Sequence, residues 1–138
     1  MSLGKVYLAS GWFSPEWLEE VENIKSVFEE NGISYFSPKD ENLCDEDASE
    51  SFQDQVFAGN IKGMNEASWM LCNTRNKDMG TLFEAGYFHC LDKPIVYFAA
   101  GLPPGATAQG CGRRRCRARA RSPLPGNTWM PHWYRCVR

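Results

Sequence analysis

Long hydrophobic runs are missing from this chain. The longest uncharged apolar stretch, Pro94 to Ala100, is far short of the roughly 18 to 20 residues that cross a bilayer, so no membrane partner or membrane-spanning helix is expected. The start of the chain has no basic segment followed by an apolar run and a small-residue cleavage site, and we expect a cytoplasmic protein. Only two histidines occur, and neither a His-Glu-x-x-His nor a Cys-x-x-Cys pattern is present, which removes the common zinc chemistries. Cys111, Cys116, His132 and Cys136 match no usual zinc spacing, and the neighbouring arginines would repel a cation. Gly110-Cys111-Gly112 lacks a third glycine and follows no strand, so a nicotinamide or ATP site is not expected. The six cysteines come without a secretory signal. Cys72 and Cys90 lie in apolar periodic segments, where a free thiol acts as a small hydrophobe.

Acidic residues and lysine are wholly absent after residue 100, and this absence divides the molecule. Residues 1–100 hold all 17 acidic residues and carry a net charge of −10, whereas residues 101–138 hold eight arginines and carry +8. The overall charge of −2 conceals that boundary. Isoleucine, phenylalanine and lysine stop at the same place, and Gly, Ala, Arg and Pro take over. We expect one α/β domain over residues 1–100 and an Arg/Pro/Gly-rich tail over 101–138 with no stable fold, because Pro103-Pro104-Gly105 breaks the chain and Arg113 to Arg121 repels itself. A shifted reading frame or an unrelated fusion would explain a change in composition, charge and periodicity at one point.

What is present in the first part alternates in period. Lys5 to Ser10 is a short apolar run followed by a turn, as a buried parallel strand should be. Ser14-Pro15 pairs an N-cap with proline at the first helical position, and Trp17, Leu18, Val21, Ile24, Val27 and Phe28 recur at helical spacing until Asn31-Gly32. Ile33 to Ser37 reads as a second strand stopped by Pro38, followed by a polar connection over Lys39 to Ser49. Phe52, Val56, Phe57, Ile61 and Met64 form a second helical stripe, and Trp69 to Asn73 a third strand. A third helix begins at Gly80-Thr81 with Leu82, Phe83, Tyr87, Cys90 and Leu91 expected to be buried, and Pro94 to Ala99 is a fourth strand. Strand and helix in alternation imply a doubly wound, flavodoxin- or Rossmann-like parallel sheet with helices on both faces, truncated or altered after the fourth strand. Ligands of such folds bind beyond the carboxyl ends of the strands.

At that edge the chain presents Asp78-Met79-Gly80-Thr81-Leu82-Phe83-Glu84. A carboxylate about one turn into an apolar helix is a nucleophile candidate when ionised, and the helix dipole would favour ionisation of Glu84. Asp78, at the end of the loop, could face the same crevice. The competing reading makes Asp78 a helix cap and Glu84 a solvated charge. Trp12 and Phe13, directly after the first strand, are more often core aromatics than an exposed stacking surface, and Tyr7 reads by itself as a buried strand aromatic.

In order along residues 4–100, three segments resemble the nucleoside 2-deoxyribosyltransferase family. They are Val6-Tyr7-Leu8-Ala9-Ser10-Gly11-Trp12-Phe13, Ser37-Pro38 with Asp40, and Asp78-x-Gly80-Thr81-x-Phe83-Glu84-x-Gly86-Tyr87 followed by Lys93-Pro94. The resemblance implies transfer of 2-deoxyribose between nucleobases through a covalent glycosyl-enzyme on Glu84. Asp78 would exchange a proton with the base, and Tyr7 would hold the nucleophile. It further implies that Gly11, Trp12, Phe13, Asn42, Asn60, Gly80 and Thr81 line the substrate pocket, with Asn60 standing where many members carry an aspartate. No metal and no organic cofactor are implied. The partners would be a deoxyribonucleoside, a free nucleobase and further copies of the chain in a homo-oligomer. His89 falls on another helix face and is read as structural or solvated. Two alternatives stand beside this one: an N-glycosidase that hydrolyses deoxynucleosides or their 5′-monophosphates, and a nucleic-acid-binding module built on the arginine tail. Against the latter, a domain at −10 would repel the same polyanion.

Overall fold

The computed structural model describes residues 4–41, 47–74, 78–99 and 133–135. Strand β1 is Val6–Ala9, and helix α1, Pro15–Glu30, follows it. Ser14 caps α1 by accepting a hydrogen bond from the Trp17 backbone N–H at 3.3 Å, with Pro15 in the first turn, as the sequence indicates. Strand β2 is reduced to Tyr35–Phe36, and Pro38 does more than stop it, opening a one-turn helix α2, Pro38–Glu41. Helix α3 (Glu50–Glu66), strand β3 (Trp69–Asn73), helix α4 (Met79–Cys90) and strand β4 (Ile95–Phe98) complete the alternation, and Trp133–Arg135 forms β5.

The strands lie in the order β2-β1-β3-β4-β5. The first four are parallel, with Ala9 opposite Cys72 and Asn73 opposite Phe98. The alteration after the fourth strand is β5, which runs antiparallel with Phe98 opposite Trp133. The sheet is thus four parallel strands altered after the fourth, as the alternation of elements indicates. With β5 alongside, Ile95 and Phe98 are buried and Tyr97 is half-buried, because alternate β4 side chains face the packed helices on either side of the sheet.

The chain leaves β1 for β2 on one side and returns to β3 on the other, so the switch point of the sheet lies between the carboxyl ends of β1 and β3. Side-chain alternation then sorts the core into two layers. Val6, Leu8, Leu71 and Phe98 face α1 through Val21, Ile24 and Phe28. Tyr7, Ala9, Met70, Cys72 and Ile95 face α3 and α4 through Met64, Ala85 and Phe88. Among the described residues no helix is long and apolar enough to cross a membrane.

Of the expected α1 stripe Val21, Ile24 and Phe28 are buried, while Leu18 and Val27 at its margins are exposed; the α3 and α4 stripes depart further from their spacing. On α4 the buried residues are Thr81, Ala85 and Phe88, whereas Leu82, Phe83 and Cys90 are exposed. The helix is apolar on every side, so its hydrophobic pattern does not set its phase. On α3 only the last turns reach the sheet, with Gly63 and Met64 buried and Phe52 and Phe57 exposed. Lys93 anchors that end: its ammonium donates to the carbonyls of Met64 at 3.1 Å, Asn65 at 2.6 Å and Ala67 at 2.7 Å. These are carbonyls that a helix C-terminus leaves without intrahelical partners, which gives the Lys93-Pro94 pair a structural reason.

Candidate active site

Tyr7 and Glu84 meet although they are far apart in sequence. Tyr7 is the second residue of β1 and points to the α4 layer, where it is fully buried. Glu84 belongs to the same helical stripe as Thr81, Ala85 and Phe88, so it faces the sheet from a position otherwise occupied by core residues. The Tyr7 hydroxyl donates to Glu84 Oε1 at 2.6 Å, a short, charge-assisted distance. Tyr7 is itself held. Its ring stacks on Phe36, with centroids 5.3 Å apart and planes 15° apart, and Phe36 lies where a Cβ on Gly63 would stand, 2.8 Å from that position. Any larger residue at 63 would push α3 or Phe36 away, so Gly63 sets the depth of the tyrosine. Neither Phe36 nor Gly63 was visible as a site residue in the sequence, since a ring in a short strand and a glycine in a helix carry no chemistry of their own.

Burial decides the charge state of this pair. Glu84 is pushed up to about 7, chiefly by loss of solvent; the Tyr7 hydroxyl opposes the shift and the nearby Asp78 charge adds to it. Burial thus works against the ionisation of Glu84 that the helix dipole is expected to favour. Glu84 lies beyond the first turn of α4, where the dipole has faded, while the penalty for a buried charge has not. Burial and the adjacent Glu84 raise the Tyr7 phenol above its ordinary value, so Tyr7 remains a donor. Cys72, on β3 in the same layer, is a free buried thiol pushed up to about 12 by burial and by the Glu84 charge. It is inert at neutral pH.

Asp78 is the N-cap of α4. Its Oδ2 accepts from the Thr81 backbone N–H at 2.7 Å and from the Thr81 hydroxyl at 2.9 Å. The capping reading is therefore realised, and it fixes the carboxylate at the entry of the helix that carries Glu84. Thr81 is buried and directs its hydroxyl to Asp78. Gly80 leaves room for that cap, since a Cβ there would come 3.2 Å from Asp78 Oδ2.

The loop from β1 to α1 opens at the same sheet edge. Gly11 is buried, Trp12 half-buried and Phe13 69% exposed, and the two rings lie 5.3 Å apart with a 31° tilt. Core packing is thus not the role of Phe13. Asn60 is half-buried on α3, one turn before Gly63 and Met64 and so on the helix side that faces Phe36 and Tyr7. Asn42 lies outside the described residues. Asp40, singled out with Ser37-Pro38, pairs with Lys25 at 2.9 Å on the α1 side, and His89 is exposed. Among the described residues no group of three or more His, Cys, Asp or Glu side chains gathers as a metal site.

Known proteins resemble this chain in sequence and in fold. The family model for nucleoside 2-deoxyribosyltransferase matches residues 6–112, running past the compositional change after Ala100. Among solved structures, a 2-deoxyribosyltransferase from the psychrotolerant bacterium Bacillus psychrosaccharolyticus superposes with a TM-score of 0.61 at 30% identity, over 69% of this chain and 72% of that one. A conserved protein from Enterococcus faecalis V583 gives a TM-score of 0.62 at 13% identity, over 74% of this chain and 67% of its own, and shows likeness of fold alone. Among curated proteins none matches. With a parallel sheet of matching topology, and a family match that takes in β1 through β4 and the whole of α4, this chain belongs to the nucleoside 2-deoxyribosyltransferase family.

Proposed function

We propose that the chain exchanges the base of a 2′-deoxyribonucleoside by double displacement at Glu84, as a cytoplasmic salvage reaction that needs no metal or organic cofactor. The observation that carries this reading is the 2.6 Å hydrogen bond from Tyr7, on β1, to Glu84, on the helix that follows β3. In the first half, a Glu84 carboxylate oxygen attacks the anomeric carbon from the face opposite the base. The C–O bond forms as the glycosidic C–N bond breaks, the electron pair leaves with the base nitrogen, and Asp78 supplies the proton. In the second half, the nitrogen of an incoming base attacks the same carbon, expels Glu84 and returns its proton to Asp78. Two inversions give retention, as in retaining glycosidases, with an oxocarbenium-like transition state stabilised by the adjacent carboxylate.

Tyr7 aims one carboxylate oxygen and, as a donor, lowers the Glu84 pKa toward the ionised form that must attack. We assign base stacking to Trp12 and Phe13, backbone contact at the sugar to Gly11 and Gly80, and polar contacts to Asn42 and Asn60. Thr81 serves the pocket by holding Asp78. Self-association is assigned to the apolar surface of α3 and α4, where Phe57 and Phe83 are exposed with centroids 5.8 Å apart. Replacing both with glutamate should shift the sedimentation coefficient toward the monomer.

The test of the reaction is incubation with deoxyinosine, with and without adenine. Deoxyadenosine formed only when adenine is present supports transfer. Free deoxyribose at a rate indifferent to adenine would instead identify a hydrolase and overturn the proposal.

A further inference from the structure

The face of the sheet opposite Glu84 holds a second polar group at the switch point, and the reaction above does not use it. Asn73, the last residue of β3, is buried to 1% exposure, and Ser10, just past β1, is buried beside it. The Asn73 amide donates to Ser10 Oγ at 3.2 Å and to Glu20 Oε2, on α1, at 2.7 Å. Ser10 Oγ in turn donates to the carbonyl of Gly11 at 3.1 Å. The chain of donors therefore runs in one direction, from the end of β3 through Ser10 to the peptide that joins Gly11 to Trp12.

An amide and a hydroxyl in a sheet layer that is otherwise Val6, Leu8, Leu71 and Phe98 are costly unless bonded. When bonded they select one arrangement over its alternatives. What they select here is the orientation of the Gly11–Trp12 peptide, because its carbonyl is the final acceptor, and with it the direction in which Trp12 and Phe13 leave the sheet. The Glu20 contact holds α1, at the far end of the same loop, to the same amide. Both ends of the aromatic loop are thus referred to β3, the strand whose following segment leads to Asp78 and Glu84.

We infer that Ser10 and Asn73 are positioning residues that fix the Trp12–Phe13 loop relative to the reaction centre, and so set affinity for the nucleobase. The link to nucleobase affinity rests on the base-stacking role proposed above for that loop; the link to loop geometry does not. Ser10→Ala removes the final donor with little change in volume, and Ser10→Thr retains a hydroxyl.

The experiment uses the full chain labelled with 5-fluorotryptophan, the Trp12 resonance being assigned by its loss in Trp12→Phe. Ser10→Ala should shift or broaden the Trp12 fluorine line while Trp17 and Trp69 stay in place, and Ser10→Thr should restore it. In steady-state exchange between deoxyinosine and adenine, Ser10→Ala should raise the KM for adenine about tenfold with a smaller loss in kcat. An unchanged Trp12 line, or equal movement of the Trp12, Trp17 and Trp69 lines among the five tryptophans of the chain, would overturn the inference. A shifted Trp12 line in a protein whose wild type exchanges no base would uphold the positioning of the loop and defeat only the proposed reaction. A shifted line in an exchanging enzyme whose KM for adenine does not change would overturn the link to affinity.

Discussion

The two faces of the sheet use the same strands for different ends. Toward α1, β1 contributes Val6 and Leu8 to an apolar layer whose polar groups are confined to the carboxyl rim. Toward α4, the intervening residues bring a phenol, and the helix brings a carboxyl, into a layer that is otherwise Ala9, Met70, Cys72, Ala85 and Phe88. One face supplies stability; the other gives up some of it to keep a carboxyl poorly solvated. The lesson is that one-residue alternation in β1 separates the two functions, and variants on adjacent residues should separate them in experiment.

The largest effects come from crossing the faces. Leu8→Ala, which empties a fully packed site, should cost about 3 kcal/mol in urea denaturation and leave turnover per folded molecule nearly unchanged. Glu84→Gln should cost no stability at neutral pH and lower base exchange about 10⁴-fold. If Leu8→Ala also abolishes turnover in the folded fraction, the faces are not independent.

The next effect is one of pH. Because folding lifts the Glu84 pKa to about 7, the folded chain binds the extra proton between the unfolded carboxyl value, near 4.3, and 7. This group therefore lowers stability as pH rises through that window, and the penalty is complete above it. Glu84→Gln should match wild type near pH 4 and exceed it by about 2 kcal/mol at pH 8, with allowance made for the solvent-facing part of the side chain. Denaturant midpoints at the two pH values check the sign. Base exchange should rise with pH on a one-proton limb near 7. Tyr7→Phe should move that limb upward, since the hydroxyl is the group that lowers the Glu84 value.

A smaller contrast compares lysines. Lys93 gives three hydrogen bonds to the end of α3, and Lys93→Met should cost about 2 kcal/mol, insensitive to salt. Lys39, which pairs with Glu22 at 2.9 Å in the partly exposed cluster beside α1, should cost less than about 1 kcal/mol on mutation to Met, with that cost vanishing in high salt. Thermal melts at low and high ionic strength distinguish the two.

How much of this was legible in the sequence follows the same division. The α1 layer could be read directly: Ser14-Pro15 announces the helix, and Val21, Ile24 and Phe28 occupy the buried stripe that their spacing predicts. Tyr7, Asp78 and Glu84 could be named as candidates from the family resemblance, and Asp78 from its place at a helix start. The buried face of α4 could not be read from apolar residues alone, because Leu82 and Phe83 compete with Ala85 and Phe88 for the core. Placing Glu84 on the stripe with Thr81, Ala85 and Phe88 requires knowing which side meets the sheet. The Asn73–Ser10 connection was hidden for a different reason. Trp69 to Asn73 reads as an apolar strand, and its final polar residue gives no sign of whether it bonds outward or across to β1. The fifth strand has no signal in the sequence, because an isolated Trp-Tyr-Arg segment has no period to detect and its pairing depends on the free edge of β4.

The most direct measurement is the intact mass of the protein after mixing with deoxyinosine in the absence of an acceptor base. A gain of one deoxyribosyl unit is expected on the wild type, discharged by added adenine and absent in Glu84→Ala. Base exchange without any such adduct, or an adduct that persists in Glu84→Ala, would contradict a nucleophilic role for this carboxyl.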